Sequence, residues 1–457
     1  MSELGANGPI VVVGGGQAGS LLALYLAHQG HEVEVYESRP DLRRVDIDAG
    51  RSINLALATR GFVALGDVGL AETVDAITVP MAGRMVHADG EVTFQPYGLD
   101  SDDVIHSVSR SDLNAILLDA AEATGRVTTH FEHWCHRIDF DRMVLTFSPF
   151  GAIDDVTEVP FGTVFGCDGA NSEIREDVLR ANGGHRTIEP LDHGYKELTL
   201  PPSAGGGFRI DPHGLHIWPR GEFMLIALAN PEGDFTVTLF MPNTGPDSFE
   251  TLVDADAIEA FFTKWFPDFA PLVPDLAQQF LTNPTGSLAT VRTTGWSVDD
   301  RALLVGDAAH AIVPFHGQGM NLAMESCRLL DRELRRSPDD IAAAFASFEA
   351  NRKPDADAIA DMALENYVEM RAGVIDPAYL LARELALELE RRHPDRVAAR
   401  YGMVMFTTMP YGAVKERAER QKEVYTALTT DITALDDVDF ELAARLVDQL
   451  GPLPEWQ

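Results

Sequence analysis

Residues 306–321 read GDAAHAIVPFHGQGMN, and the apolar run RALLV leads into them. Asp307 therefore stands at a strand end, and Gly317 and Gly319 soon afterwards open a new helix. The stretch also holds His310 and His316, but nothing in it is spaced like a hydrolytic triad or a metal site. A hydrogen-bond acceptor beside a glycine-lined helix start suits a bound group that brings its own reactivity. The acceptor can grip a polar chain, while the helix N-terminus favours negative charge on the group.

A second constellation lies near the start of the chain. Gly14-x-Gly16-x-x-Gly19 separates the run IVVV from a helical pattern, and a strand, HEVEVYE, follows. Glycines there permit a tight turn and close approach of the backbone to a pyrophosphate, which the helix N-terminus stabilises. Glu37 ends the second strand, placed to accept from a ribose 2′-hydroxyl. An acid at that point disfavours a 2′-phosphate, so the tightly held dinucleotide should be FAD or NAD rather than NADP. With only one such glycine motif, a second nucleotide should bind transiently, without a Rossmann domain of its own.

The elements that must hold these residues form a mixed α/β chain. The opening βαβ unit begins a parallel sheet, and GTVFGCDGANSEIR and RALLVGDAAH supply two more strands that end in Asp-containing turns. Between them, LHIWPRGEFMLIALANPEGDFTVTLFMP alternates in period two around NPEGD, as an antiparallel hairpin does. Helical patterns dominate from residue 322 onward. The expected fold is a Rossmann-like dinucleotide-binding domain with a parallel sheet, interrupted by an antiparallel β-sheet substrate domain and followed by C-terminal helices. The expected boundaries are residues 1–190 and 291–350 for the first, 191–290 for the second and 351–457 for the helices.

Composition narrows the partners. The net charge of −35 argues against nucleic acid and anionic membranes, because phosphate contacts need clustered Lys and Arg. Cys135, Cys167 and Cys327 are far apart and odd in number, which excludes a disulfide framework and fits a reducing cytoplasm. Residues 4–31 carry no charged side chain, but Gly14, Gly15, Gly16 and Gly19 break the run, so it is a strand and helix rather than a span. The acidic C-terminal tail is too polar to insert, and a soluble protein without a membrane anchor is expected.

The segment GDAAHAIVPFHGQGMN resembles the flavin-contacting segment of the FAD-dependent aromatic hydroxylases, the para-hydroxybenzoate hydroxylase-like family. CDGANSEIR, with Asp168, and SVSRSDLN, with Arg110, resemble two further cofactor-contacting segments of that family. The resemblance implies that Asp307 accepts from the ribityl chain and that Gly317 to Asn321 point N–H groups at the pyrimidine edge of the ring. The implied FAD-binding set is Gly14, Gly16, Gln17, Ala18, Gly19, Glu37, Ser38, Arg39, Ala56, Arg110, Cys135, Asp168, Asp307, Gly319, Met320 and Asn321.

GRSINLALATRG (Gly50–Gly61), GRMVH, PYG, HGYKEL, LHIWPRG, FTVTLF and MALENYVEM resemble the kynurenine-hydroxylating branch of the family, over residues 9–425. That branch implies NADPH and O2 as co-substrates and hydroxylation of L-kynurenine ortho to its amine through a flavin C4a-hydroperoxide. Arg84 would hold the substrate carboxylate, with Tyr97 and Tyr401 hydrogen-bonding to it; Asn366 would contact the amino-acid end, with Glu369 nearby. Leu215, Ile226, Leu228, Phe240, Pro314 and Phe315 would line the aryl side. His316 falls where ring and flavin should meet, and a direct role and a loop-positioning role are both open; His310 reads as structural. The aniline lone pair activates the ortho carbon, so no protein residue is expected to act as a catalytic base. A related FAD hydroxylase of another aromatic or polyketide substrate is the alternative, and a homodimer is the candidate assembly.

Overall fold

The computed structural model describes residues 4–45, 54–149, 152, 155–371 and 373–454. Gly50 to Ile53 of the GRSINLALATRG motif lie outside them.

The β-branched run Ile10–Val13 is buried along its whole length, as a central parallel strand must be. It pairs in parallel with Val33–Tyr36 on one side and Thr163–Gly166 on the other. Ala302–Leu304 continues the sheet in parallel beyond Thr163–Gly166, Val127–His130 closes the far edge, and Ser297–Val298 adds a short antiparallel strand. The strands read from GTVFGCDG and RALLVGD are thus neighbours, and their Asp-bearing ends lie at the same edge as the glycine turn.

The second large sheet has seven strands, in the order Thr285–Thr294, His185–Leu200, Phe235–Pro242, Met224–Ala229, Leu215–Pro219, Gly83–Ala88 and Glu91–Pro96. Its last two strands come from the chain before residue 191, which the alternating pattern of 190–290 could not reveal. Leu215–Pro219 runs parallel to Gly83–Ala88; the other neighbours are antiparallel. This pairing carries Arg84 into the sheet opposite Leu215. The back face, with Trp218, Leu225, Ala227 and Leu239, packs on Phe261, Phe262 and Phe280 of two helices, Ala255–Trp265 and Leu276–Thr282. The β reading of this region did not anticipate those helices.

The long helix Ile341–Arg371 passes Pro354 without ending and sets Asn366 and Glu369 near its C-terminus. Pro377–Arg392, Arg400–Met405, Tyr411–Thr429 and Phe440–Leu450 follow. The tail, for which the sequence offered no motif, packs Val447 and Leu450 against Leu385, Leu389, Val424 and Leu428. No helix among the described residues is long and apolar enough to cross a membrane.

Candidate functional site

At the first glycine turn the three motif glycines have different tasks. A Cβ on Gly14, whose φ is 102°, would lie 2.3 Å from the Cys167 carbonyl oxygen, and one on Gly19 would lie 1.9 Å from that of Gly14. Gly16 has nothing within 4 Å of its Cβ position. Two glycines therefore let strand and helix touch, and the third opens space at the start of the helix Gln17–His28. That helix start has no side-chain cap and no acidic residue in its first turn. It offers uncompensated N–H groups, which is what a pyrophosphate requires. Gly16→Ala should fold normally yet hold FAD at least ~10-fold less tightly, because the methyl enters the phosphate's space. Gly19→Ala should instead fail to give soluble protein; expression and flavin titration of the two variants separate these outcomes.

Glu37 accepts from the Gly15 N–H at 2.8 Å and from the Arg39 N–H and Nε at 2.9 and 2.8 Å, and Ser38 Oγ lies 3.3 Å from it. Burial pushes its carboxyl up, but the Arg39 hydrogen bonds and charge, with the Gly15 N–H, hold it below the usual range. Gln17 Nε2 reaches the Arg110 carbonyl at 3.4 Å, and Ala18 accepts from the Cys327 thiol.

Asp168 follows the strand Thr163–Gly166 and accepts from the Glu173 N–H at 2.9 Å, while its Oδ1 is buried without a partner. Cys135 is buried close enough to Asp168 to feel its charge. Burial pushes the carboxyls of Asp168 and Asp307 up, and in Asp307 the Arg110 charge opposes that rise. Arg110 thus lies close enough to Asp307 for its charge to act on that carboxyl.

Gly317, with φ 63°, ends the turn Pro314–His316, and the helix Gly319–Arg336 begins without a side-chain cap. Asn321 fixes that start from inside: its Oδ1 accepts from the Ala58 N–H, and its Nδ2 donates to the Ala56 and Gly317 carbonyls, all within 2.9 Å. The amide of Asn321 is committed to the backbone, which leaves the first-turn N–H groups, Met320 included, to face a ligand. An orphaned acid oxygen, an open glycine and two uncapped helix starts fit a flavin dinucleotide.

The other half of the site follows from strand register. Arg84 opposes Leu215, Ile217 opposes Ile226, and Met224 opposes Phe240, so Arg84, Leu215, Ile226, Leu228 and Phe240 share one sheet face. Arg84 is 6% exposed and its Nε has no hydrogen-bond partner. Its guanidinium lies 5.0 Å from the Tyr401 ring centroid and 6.0 Å from that of Tyr97. Those two rings stack at 4.7 Å, and the Tyr97 hydroxyl is also without a partner. The nearest carboxylate, Glu369, stays 4.0 Å from Arg84. A buried guanidinium whose own protein answers it only through a long 4.0 Å ion pair, with Nε left without a partner, can take a further anion.

Glu369 is held by two residues that sequence reasoning missed. The Tyr379 hydroxyl donates to its Oε1 at 2.6 Å, and Arg400 Nη2 donates to its Oε2 at 2.9 Å. Tyr379 sits in an ordinary amphipathic helix and gave no signal; Arg400, next to Tyr401, could have been suspected. Asn366 Nδ2 donates to the Phe315 carbonyl at 2.7 Å, so its amide nitrogen holds the loop and its Oδ1 is the atom left for a substrate. Phe315 stacks on Tyr367 at 3.8 Å and meets Phe240 edge-on at 5.0 Å. Phe315 thus packs between Phe240 of the apolar sheet face and Tyr367, shortly before the helix start at Gly319, while the neighbouring Pro314 is exposed.

His316 stacks on Tyr401 at 5.5 Å and is 3% exposed. Burial, then the charges of Arg400, Arg84 and Arg60, push its imidazole down to about 3. Its imidazole is thus held in the neutral form. His310, equally buried, is pushed down to about 3 as well and packs on Trp296. Burial pushes Glu197 up to about 7 against the charge of Arg110. Glu197 therefore gains its charge as pH rises through about 7. Glu197 opposes Thr238, which opposes Ile226, so it shares the sheet face of the pocket. An inflection of kcat/KM near pH 7 should therefore be lost in Glu197→Gln and kept in His316→Gln. The reverse pattern in the two pH profiles would show that the imidazole titrates after all.

A family model described as FAD binding domain matches residues 8–209 and 272–362. The kynurenine 3-monooxygenase of Stenotrophomonas maltophilia (strain K279a) is 48% identical over 454 residues, covering 98% of this chain and 98% of the relative. That of Myxococcus xanthus (strain DK1622) is 45% identical over 439 residues, covering 96% and 94%. Among solved structures, 2-methyl-3-hydroxypyridine-5-carboxylic acid oxygenase superposes with a TM-score of 0.65 at 20% identity, over 82% of this chain and 95% of that one. PqsL of P. aeruginosa, solved in complex with 2-aminobenzoylacetate, gives 0.63 at 18% identity, over 80% and 96%. At those identities the two structures speak for the fold.

Proposed function

This chain belongs to the kynurenine 3-monooxygenase family of FAD-dependent aromatic hydroxylases, and from that premise we propose how its own residues carry out the reaction. The enzyme converts L-kynurenine, NADPH, a proton and O2 into 3-hydroxykynurenine, NADP+ and water. The observation that carries the assignment of the pocket is Arg84: a buried guanidinium with an unsatisfied Nε, on the same sheet face as four apolar side chains. An amino acid with an aromatic ketone has that division, a carboxylate at one end and an apolar ring at the other.

Bound FAD, reduced by NADPH, supplies the activated oxygen that is transferred to the ring. The rest is positioning by the protein. Arg84, with the hydroxyls of Tyr97 and Tyr401, holds the substrate carboxylate. Tyr379 and Arg400 keep Glu369 from collapsing onto Arg84, so the guanidinium stays available. Leu215, Ile226, Leu228, Phe240 and Phe315 seat the ring and exclude water, which protects the oxygen transfer from wasteful breakdown. The neutral imidazole of His316 packs on Tyr401, and the substrate's own amine lone pair activates the ortho carbon. Asp307 and the first-turn N–H groups of Gly319–Arg336 hold the cofactor, the latter favouring negative charge on its reduced ring.

The three cysteines are buried and unpaired, which supports a reducing, cytoplasmic setting. A homodimer completes the proposal, to be read from the sedimentation of FAD-loaded protein. A substrate panel tests the activity: NADPH consumption and product mass with L-kynurenine, L-tryptophan and simple anilines in parallel. L-kynurenine should be turned over at least ~100-fold more efficiently than an aniline without the amino-acid end, the order expected for one buried charge pair. Equal turnover of the aniline would remove Arg84 from the substrate's carboxylate.

A further inference from the structure

Behind the site, one buried polar network joins its two halves. Arg60, in the helix Thr59–Asp67, is 1% exposed. It donates through Nη1 to Glu325 at 2.7 Å, through Nε to the Val404 carbonyl at 3.3 Å, and through Nη2 to the Met409 carbonyl. Glu325 is shared with Arg352 at 2.8 Å, and Arg352 donates on to Ser326 Oγ and the Leu322 carbonyl. The Tyr411 ring lies 3.9 Å beneath the Arg60 guanidinium. Its hydroxyl donates at 2.6 Å to Oε1 of Gln318, and Gln318 Nε2 reaches Met405 Sδ at 2.9 Å.

The two ends of this chain matter. Gln318 is 0% exposed and sits between Gly317 and Gly319, at the helix start assigned to the flavin's ring edge. Met405 is one helical turn from Tyr401 in Arg400–Met405, the element assigned to the substrate carboxylate. Apolar side chains would hold these helices together at least as well, since buried charges and amides cost desolvation. What directed hydrogen bonds add is register: they fix one helix start against the other.

We propose that Tyr411 and Arg60 are positioning residues, which through Gln318 and the backbone of residues 404–409 set the flavin-facing helix start and the Tyr401 helix in one fixed relation. The substrate-side half of this statement rests on the proposed pocket; the flavin-side half does not. In Tyr411→Phe the ring stays under Arg60 and only the bond to Gln318 is lost. Hydroxylated product per NADPH should then fall at least ~3-fold, with H2O2 making up the difference. The flavin midpoint potential, measured without substrate, should become more negative as the helix N-terminus is displaced from the reduced ring.

The double variant Tyr411→Phe/Gln318→Met removes both polar partners and so relieves the unpaired amide. Thermal stability should return toward that of the parent while coupling and potential stay low. Recovery of coupling and potential together with stability would mean that the network serves packing alone, and an unchanged potential in Tyr411→Phe would overturn the proposal outright. If the parent protein does not hydroxylate L-kynurenine at all, the substrate reading fails, and the potential still decides the role of Tyr411 and Arg60.

Discussion

Arg84→Ala raises the KM for L-kynurenine on the order of 10²–10³-fold, while the purified protein remains yellow with its normal flavin content. The magnitude follows from removing one partner of a buried charge pair, worth about 2–5 kcal/mol, at about 1.4 kcal/mol per tenfold. The direction follows from geometry. Arg84 stands on the sheet strand Gly83–Ala88, whereas the residues proposed to hold the flavin sit on Gln17–His28, Asp307–His310 and Gly319–Arg336. Steady-state kinetics and flavin absorbance of the same preparation read both effects. Loss of flavin with an unchanged KM would put Arg84 on the cofactor.

Glu325→Ala is expected to destabilise the protein by about 3–5 kcal/mol, read from denaturant midpoints. The carboxylate answers two guanidiniums that are almost completely buried, Arg60 and Arg352, at 2.7 and 2.8 Å. Deleting it leaves Arg60 without its carboxylate and Arg352 with only Asp355, at 3.7 Å, a larger cost than the pair's own net contribution. A triple replacement of Arg60, Glu325 and Arg352 by apolar residues of similar volume should recover most of that loss. A single variant within about 1 kcal/mol of the parent would show that water reaches the triad.

How much of this could be read from residues alone depended on what each signal was. The glycine turn, Glu37 and the Asp-bearing strand ends are local: each needs a residue type at a fixed place in one strand-turn-helix unit, and the structure puts them at one sheet edge. The hairpin around NPEGD was likewise carried by its own alternation. Arg84 was different. Its place beside Leu215 depends on a parallel pairing between strands more than a hundred residues apart, which no periodicity encodes, and resemblance supplied it instead. Tyr379 and Arg400 act through a carboxylate on another helix. Tyr379 is of a type common on amphipathic helices and nothing in the sequence marks it, while Arg400 is marked only by its neighbour Tyr401. The helices Ala255–Trp265 and Leu276–Thr282 are short, and their apolar stripes are too brief to stand out between the alternating strands. Arg60, Glu325 and Arg352 stand on three separate helices with no motif around them, and only the fold turns them inward.

The pocket residues are proposed to position the substrate so that oxygen reaches its ring rather than water. The most direct test supplies the FAD-loaded enzyme with NADPH and labelled O2, with and without L-kynurenine, and measures NADPH, H2O2 and product together. L-kynurenine should speed NADPH oxidation and yield close to one 3-hydroxykynurenine per NADPH, its new oxygen labelled. Equal NADPH oxidation with and without L-kynurenine, ending only in H2O2, would contradict it.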